Sequence, residues 1–203
     1  MSHIALIGAS GDAGSRILKE LSDRGHTVTA IARHPENIVS LPNVTAKQGD
    51  ALDKDALVAL FKGHDAVVSA VKFGSSDPAI LIAAVKTAGV KRYLVVGGAG
   101  SLEIAPGQRL IDQPDFPDAY RPEASRGAAF LDLLKQEKDL DWSFLSPSAE
   151  FVPGQRTGTF RLGKDTLLSN DQGSSISFED YAVALVDEIE NPAHSRQRFT
   201  VGY

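Results

Sequence analysis

His3-Ile-Ala-Leu-Ile7-Gly8-Ala-Ser-Gly11-Asp-Ala-Gly14 decides how the rest of the chain is read. Residues 3–7 form a short apolar run with the length of a buried parallel strand, and the run ends directly on Gly8. Beyond the glycines, Ile17, Leu18 and Leu21 recur at helical spacing until Gly25 stops the pattern. A second strand over 27–32 (TVTAIA) ends at Arg33. A strand, a tight turn, a helix and a parallel strand make the unit that holds a nucleotide diphosphate.

Such a diphosphate approaches a backbone only where no Cβ intervenes, and the free N–H groups and positive end of the following helix then hold its charge. Gly8 and Gly11 serve the turn and the close approach, while Gly14 lets the helix pack on the strand. The spacing is GxxGxxG rather than GxGxxG, so its weight comes from its place between strand and helix. At the end of the second strand, where an acid would select NAD, the chain reads Ala30-Ile-Ala-Arg33-His34-Pro35. An arginine there can fork onto a 2′-phosphate, which points to NADP, with NAD as the alternative.

Further along, strand and helix alternate. A third strand is expected over 43–48, ending at Gly49-Asp50-Ala51, where Asp50 and Ala51 face the place of an adenine. Asp53 caps a helix over 54–61, and a fourth strand runs over 65–71, where Ala70 is small enough to run beside a cofactor. Asp77 caps a helix from Pro78 that stops at Gly89, and a fifth strand over 92–96 opens into Gly97-Gly-Ala-Gly-Ser101. Residues 102–119 read as an irregular, proline-rich excursion, with Arg109, Phe116 and the following Tyr120 suited to a flat anionic ligand. A helix over 124–138 and a sixth strand over 142–145 follow, with Trp142 as a packing residue. Short strands are expected within 159–168 and over 199–201. Ser177 caps a helix over 178–190, with Asp180 in the capping-box position. The expectation is one α/β domain over 1–203: a doubly wound parallel sheet in three layers, its core over 1–146 completed by a small substrate-side extension over 147–203.

The 203 residues suffice for a sizeable core, and a net charge of −5 argues against nucleic acid or an anionic membrane as the main partner. With no cysteine there is no disulfide, thiolate metal site or cysteine nucleophile, and no metal is expected. No window is long and apolar enough to span a membrane, so a cytoplasmic location is expected, as a monomer or homodimer.

GASGDAG (8–14), GDALD (49–53), VKRYLVVGGAGSLE (90–103) and the tail DWSFLSPSAEFVPGQRTG (141–158) with SISFEDYAVALVDEIENP (175–192) together resemble the NmrA-like atypical short-chain dehydrogenase/reductases. The nearest likeness is to the group described as NADH-flavin reductases, with biliverdin-IXβ/flavin reductase more distant. The resemblance implies a Rossmann fold and cofactor contacts at Gly8, Ser10, Gly11, Asp12, Gly14, Arg33, Asp50, Ala51, Ala70, Val71 and Gly97.

Orthodox members of the superfamily transfer a proton through a Tyr-x-x-x-Lys pair. Here Tyr93, Tyr120 and Tyr181 are followed at that spacing by Gly97, Ala124 and Leu185, and Tyr203 is the last residue. The pair is absent. A flavin or quinone tolerates this, because its conjugated ring spreads the incoming charge and solvent can supply the proton. The expected activity is therefore NADPH-dependent reduction of such an acceptor, with Ser101 and Tyr120 as the candidate proton donors or orienting groups and Arg156 for an anionic substrate group. The alternative is a non-catalytic NADP(H) sensor that reports to a protein partner.

Overall fold

The structure, a computed structural model, describes residues 1–203. Strand β1 (His3–Ile7) lies inside an eight-stranded sheet, third from one edge. Its alternation sorts the core. Ile4 and Leu6 point to one face, where they meet Ile17, Leu18 and Leu21 of helix α1 (Asp12–Asp23), while Ala5 and Ile7 point to the other.

Strand β2 (Thr27–Ala32) pairs with β1 and carries β3 (Val44–Gln48) at the sheet edge. On the opposite flank of β1 come β4 (Ala66–Ser69), β5 (Arg92–Val96) and β8 (Asp141–Pro147), all parallel. Strand β12 (Gln197–Gly202) adds in parallel to β8, and β10 (Arg161–Gly163) closes the edge in antiparallel fashion. The order is β10-β12-β8-β5-β4-β1-β2-β3. The chain reverses direction across the sheet between β1 and β4, and doubly wound sheets bind their ligands at such a point.

Helices α2 (Lys54–Phe61), α3 (Pro78–Thr87) and α4 (Arg121–Gln136) cover one face, and α1 with α5 (Phe178–Glu190) covers the other. The starts of α2, α3 and α5 follow local chemistry. Asp53 accepts from the Ala56 N–H at 3.0 Å, Asp77 from Ala79 at 2.8 Å, and Ser177 Oγ from Asp180 at 2.9 Å. No helix is long and apolar enough to cross a membrane.

Several boundaries differ from the sequence reading. Strand β4 ends at Ser69, two residues early, because the chain turns across the glycine turn there; a Cβ on Gly8 would lie 2.5 Å from the Ala70 carbonyl oxygen. Helix α4 begins three residues early, since Pro122 fits a first turn. Residues 102–119 are not irregular throughout. Strands β6 (Glu103–Ala105) and β7 (Gln108–Arg109) form a hairpin, tied by the Glu103 N–H to the Asp165 carbonyl at 2.8 Å. In the final third, β9 (Glu150–Val152) and β11 (Ser175–Ser177) pair as a separate small sheet.

Candidate functional site: a cleft at the strand ends

At the carboxyl ends of β1 to β4 lies a cleft of about 210 Å³. Ile7, Gly8, Ser10 and Gly11 form its floor, and Ala32 and Arg33 come from the end of β2. Residues 49–51 bring Asp50 and Ala51 from the end of β3. The turn after β4 supplies Ala70, Val71, Lys72 and Ser75. Eight residues singled out in the sequence thus meet in one place: Gly8, Ser10, Gly11, Arg33, Asp50, Ala51, Ala70 and Val71.

Backbone geometry explains the glycines. Gly8 has φ +87°, and a Cβ on Gly14 would sit 2.0 Å from the Gly8 carbonyl oxygen, so helix and turn touch only because neither carries a side chain. Gly11 caps α1 without a side-chain hydrogen bond, and the first intrahelical bond runs from Ser15 N–H to Gly11 at 2.8 Å. The N–H groups of Asp12, Ala13 and Gly14 therefore face outward without an intrachain acceptor, at the positive end of the helix. A close-approach turn, free donors and a cleft across the strand ends fit a dinucleotide phosphate.

The charges around the cleft are sparse. Arg33 is exposed and forms no ion pair; only its carbonyl is engaged, by Gln48 Nε2 at 3.3 Å. Asp50 Oδ1 accepts from the Leu52 N–H at 3.0 Å and so closes its own turn. The wall after β4 is rigid. Glu123 of α4 accepts from the N–H groups of Phe73 at 2.6 Å and Gly74 at 2.8 Å, and the Phe73 ring stacks on Phe144 at 6.3 Å between centroids. Lys72, Ser75 and Glu123 had no local signal in the sequence, because they matter only once α4 has folded back against the turn.

Other candidates fall outside the cleft. Asp12 is exposed in the first turn of α1, and Gly14 is buried beneath the turn. Gly97 does not line the cleft; a Cβ there would strike the Phe144 ring at 2.3 Å, so sheet packing requires the glycine. The Ser101 hydroxyl accepts from Arg198 Nη1 at 3.2 Å, within a cluster where Arg198 also binds Asp165. Tyr120 precedes α4 with 67% of its surface exposed.

Two assignments are corrected. Arg156 is not free for a substrate anion, because its guanidinium forks onto Glu20 at 2.7 and 2.8 Å. Asp180 does not reach back to its cap residue in a capping box. Its buried carboxylate accepts from the N–H groups of Thr157 and Gly158, at 2.8 Å each, and from the Thr157 hydroxyl at 2.6 Å, while the Ser177 N–H turns to the Tyr203 hydroxyl. In the 102–119 excursion, Arg109 pairs with Asp112, and Phe116 lies under Arg121 at the start of α4, so both already have partners within the chain.

The comparisons with known proteins agree with this geometry. A family model described as NAD(P)H-binding matches residues 8–192. The chain is 44% identical to the uncharacterized protein YwnB of Bacillus subtilis, across 98% of this chain and 97% of that one. A solved "putative epimerase" from Bacteroides thetaiotaomicron superposes with a TM-score of 0.94 at 45% identity, covering 99% of this chain and 96% of the other. A Streptococcus pneumoniae structure described as "a putative NADH-flavin reductase" superposes with a TM-score of 0.80 at 37% identity, covering 100% and 99%. A match over nearly the whole chain, beginning at a glycine turn in which Gly8 and Gly14 leave no room for a side chain, shows that this chain belongs to the NAD(P)H-binding family.

Proposed function

We propose that the chain is an NADPH-preferring reductase of a flat conjugated acceptor, a free flavin or a quinone. The observation that carries this reading is the withdrawal of the phenols. Tyr93 and Tyr181 are fully buried, and burial pushes both hydroxyls far above the ordinary tyrosine range; Tyr181 also donates to the Leu145 carbonyl at 2.7 Å. Tyr203 donates to Asp180 at 2.8 Å, and partial burial raises it as well. Only Tyr120 is open, and Ala124 stands where its lysine would be. A carbonyl reduced to an alkoxide lacks its acid here, whereas a conjugated ring does not need one.

When bound, the nicotinamide supplies hydride. The chain's own part is to bind and orient: Gly8, Ser10, Gly11 and the free N–H groups of α1 for the phosphates, Asp50 and Ala51 for the adenosine, Arg33 for a 2′-phosphate. Ala70 and Val71 lead from the cleft toward the end of β5, where the second ring would lie. Proton delivery falls to solvent. The name of the Streptococcus relative agrees with this acceptor class. A "putative epimerase", as the Bacteroides relative is named, would need a proton-transfer tyrosine with its paired lysine, and no tyrosine of this chain has that lysine.

Absorbance at 340 nm, followed with NADPH and with NADH against FMN, riboflavin and a small quinone, tests the reading in wild type and Arg33→Ala. Saturable oxidation of NADPH is expected. Arg33→Ala should weaken NADPH by roughly 10- to 100-fold, the worth of a charge-assisted fork of about 1.5–3 kcal/mol, and leave NADH within about threefold. Tight binding of NADPH without oxidation by any of the acceptors would instead establish the sensor reading, which the missing proton pair also suits.

A further inference from the structure

We propose that Lys72 is the cation that holds the diphosphate shared by NADH and NADPH, a role separate from that of Arg33. The inference rests on the family's dinucleotide binding and is independent of which acceptor is reduced.

The turn after β4 lies against the glycine turn: a Cβ on Gly8 would stand 2.5 Å from the Ala70 carbonyl and 2.9 Å from the Val71 nitrogen. Lys72 therefore follows directly on the segment that shares a wall with the phosphate donors, and it lines the same cleft as Gly8, Ser10 and Gly11. Arg33 lines it too, but from the end of β2, on the opposite flank of β1.

The local charge balance needs such a cation. The free N–H groups of α1 offer about half a positive charge, and Asp12, exposed at the first helical position, opposes a phosphate there. The other cation near this end of the helix is spent. Arg16 Nε donates to Glu179 at 3.1 Å and its Nη1 to the Asp12 carbonyl at 3.2 Å. Lys72, by contrast, is exposed and its ammonium has no intrachain partner; only its carbonyl is used, by the Ser75 N–H at 3.0 Å and the Ser76 hydroxyl at 3.1 Å. Its backbone is also fixed. Glu123 holds the next two N–H groups, at 2.6 and 2.8 Å, and the Phe73 ring is packed between Phe130 and Phe144, so a flexible lysine arm projects from a rigid base. A compact ammonium on such an arm suits an extended diphosphate, whereas the arginine fork across the cleft suits a terminal phosphate.

The test is equilibrium binding of NADH and NADPH, read by nicotinamide fluorescence at two salt concentrations, for wild type, Lys72→Ala and Lys72→Arg. Because the side chain is exposed, neither variant should alter thermal unfolding, which is measured alongside. Lys72→Ala should weaken both dinucleotides about tenfold, leave their ratio unchanged and flatten the salt dependence; Lys72→Arg should restore most of the loss. Wild-type affinity for both dinucleotides in Lys72→Ala would overturn the proposal while leaving the cofactor site intact, and a loss confined to NADPH would reassign Lys72 to the 2′-phosphate. If wild type bound neither dinucleotide, the cofactor reading would fall together with the proposal. Absence of flavin or quinone turnover alone would remove only the acceptor.

Discussion

The three glycines of the turn look equivalent in the sequence, but each answers a different constraint. Gly8 adopts φ +87° and lies against Ala70, so an L-residue there meets both strain and collision. Gly14 sits in ordinary helical backbone, and its constraint is steric: a methyl group would stand 2.0 Å from the Gly8 carbonyl oxygen, and both partners are backbone. Gly11 has φ −76°, and a methyl there would find its nearest atom at 3.4 Å, an ordinary contact. The glycine substitutions should therefore separate stability from binding. Gly14→Ala forces α1 away from β1 and should cost about 1–3 kcal/mol, lowering Tm by roughly 2–10 °C, with dinucleotide affinity falling because the turn is displaced. Gly11→Ala should unfold within about 2 °C of wild type. Thermal denaturation of the two variants side by side decides the matter, and equal losses would mean that the helix seat is looser than the contact implies.

At the scale of elements, the extended stretch between β9 and β10 is held by side chains of α5 instead of by strand pairing. Gly154 N–H donates to Glu179 at 2.8 Å, the Ser177 hydroxyl donates to the Gln155 carbonyl at 3.0 Å, and Asp180 takes three bonds from Thr157 and Gly158. In Asp180→Asn the amide oxygen can keep the Thr157 and Gly158 N–H groups, but the NH₂ meets the Thr157 and Tyr203 hydroxyls, which must turn to accept and lose their charged partner, at a cost of about 1–3 kcal/mol in a fully buried site. Trypsin should then cut after Arg156 well before global unfolding, while wild type resists; equal digestion rates would show that Glu179 and Ser177 suffice. This strap also marks where the sequence stopped being legible. The bounds of α2, β5 and α5 were readable because Asp53, Ser177 and the apolar runs act within a few residues of themselves. Arg33, Asp50 and Ala51 could be placed beside the cleft from the sequence because they follow the ends of β2 and β3, on the same carboxyl edge of the sheet as the glycine turn. The β6–β7 hairpin and the strap depend on partners far along the chain, Arg198 with Asp165 or Asp180 with Thr157, and no local pattern announces such pairs. Lys72 and Ser75 escaped for the same reason, since β4 ends only where the fold turns it.

Across the whole molecule the two helical layers are held by different forces. The layer of α2, α3 and α4 rests mainly on apolar packing, with one exposed ionic tie from Lys86 of α3 to Glu137 and Asp139 just past α4, whereas α1 and α5 are joined by a longer, partly buried ionic ladder besides their apolar core: Arg16 to Glu179, Arg24 to Asp187 and Glu190, and Glu20 to both Arg24 and Arg156. Below the same sheet end, buried Glu188 holds Arg92 at 2.7 Å and the His194 ring at 2.7 Å. Burial pushes the Glu20 and Glu188 carboxyls up, but the hydrogen bonds they receive, from Arg156 and Arg24 and from His194 and Ala193, more than reverse it, and both titrate below their ordinary 4.5. A carboxyl lowered by folding stabilises the native state fully above its unfolded value, and that contribution is lost as pH falls through the lower folded value. Acid should therefore loosen one side of the molecule before the other. Hydrogen exchange below about pH 4.5 should rise first in α1, α5 and the strap, with α2 and α3 protected longer. Glu20→Gln supplies the control. At pH 7 it should cost roughly 1.5–3 kcal/mol, because Arg24 and Arg156 lose their shared partner, and the difference from wild type should shrink as pH drops below 4.5, where wild type loses the same charge. Urea unfolding at several pH values measures that convergence directly. Two curves that stay parallel down to pH 3 would show that Glu20 stabilises the α1–α5 layer by packing rather than by charge, and the ladder would then be a consequence of the layer's geometry and not its cause.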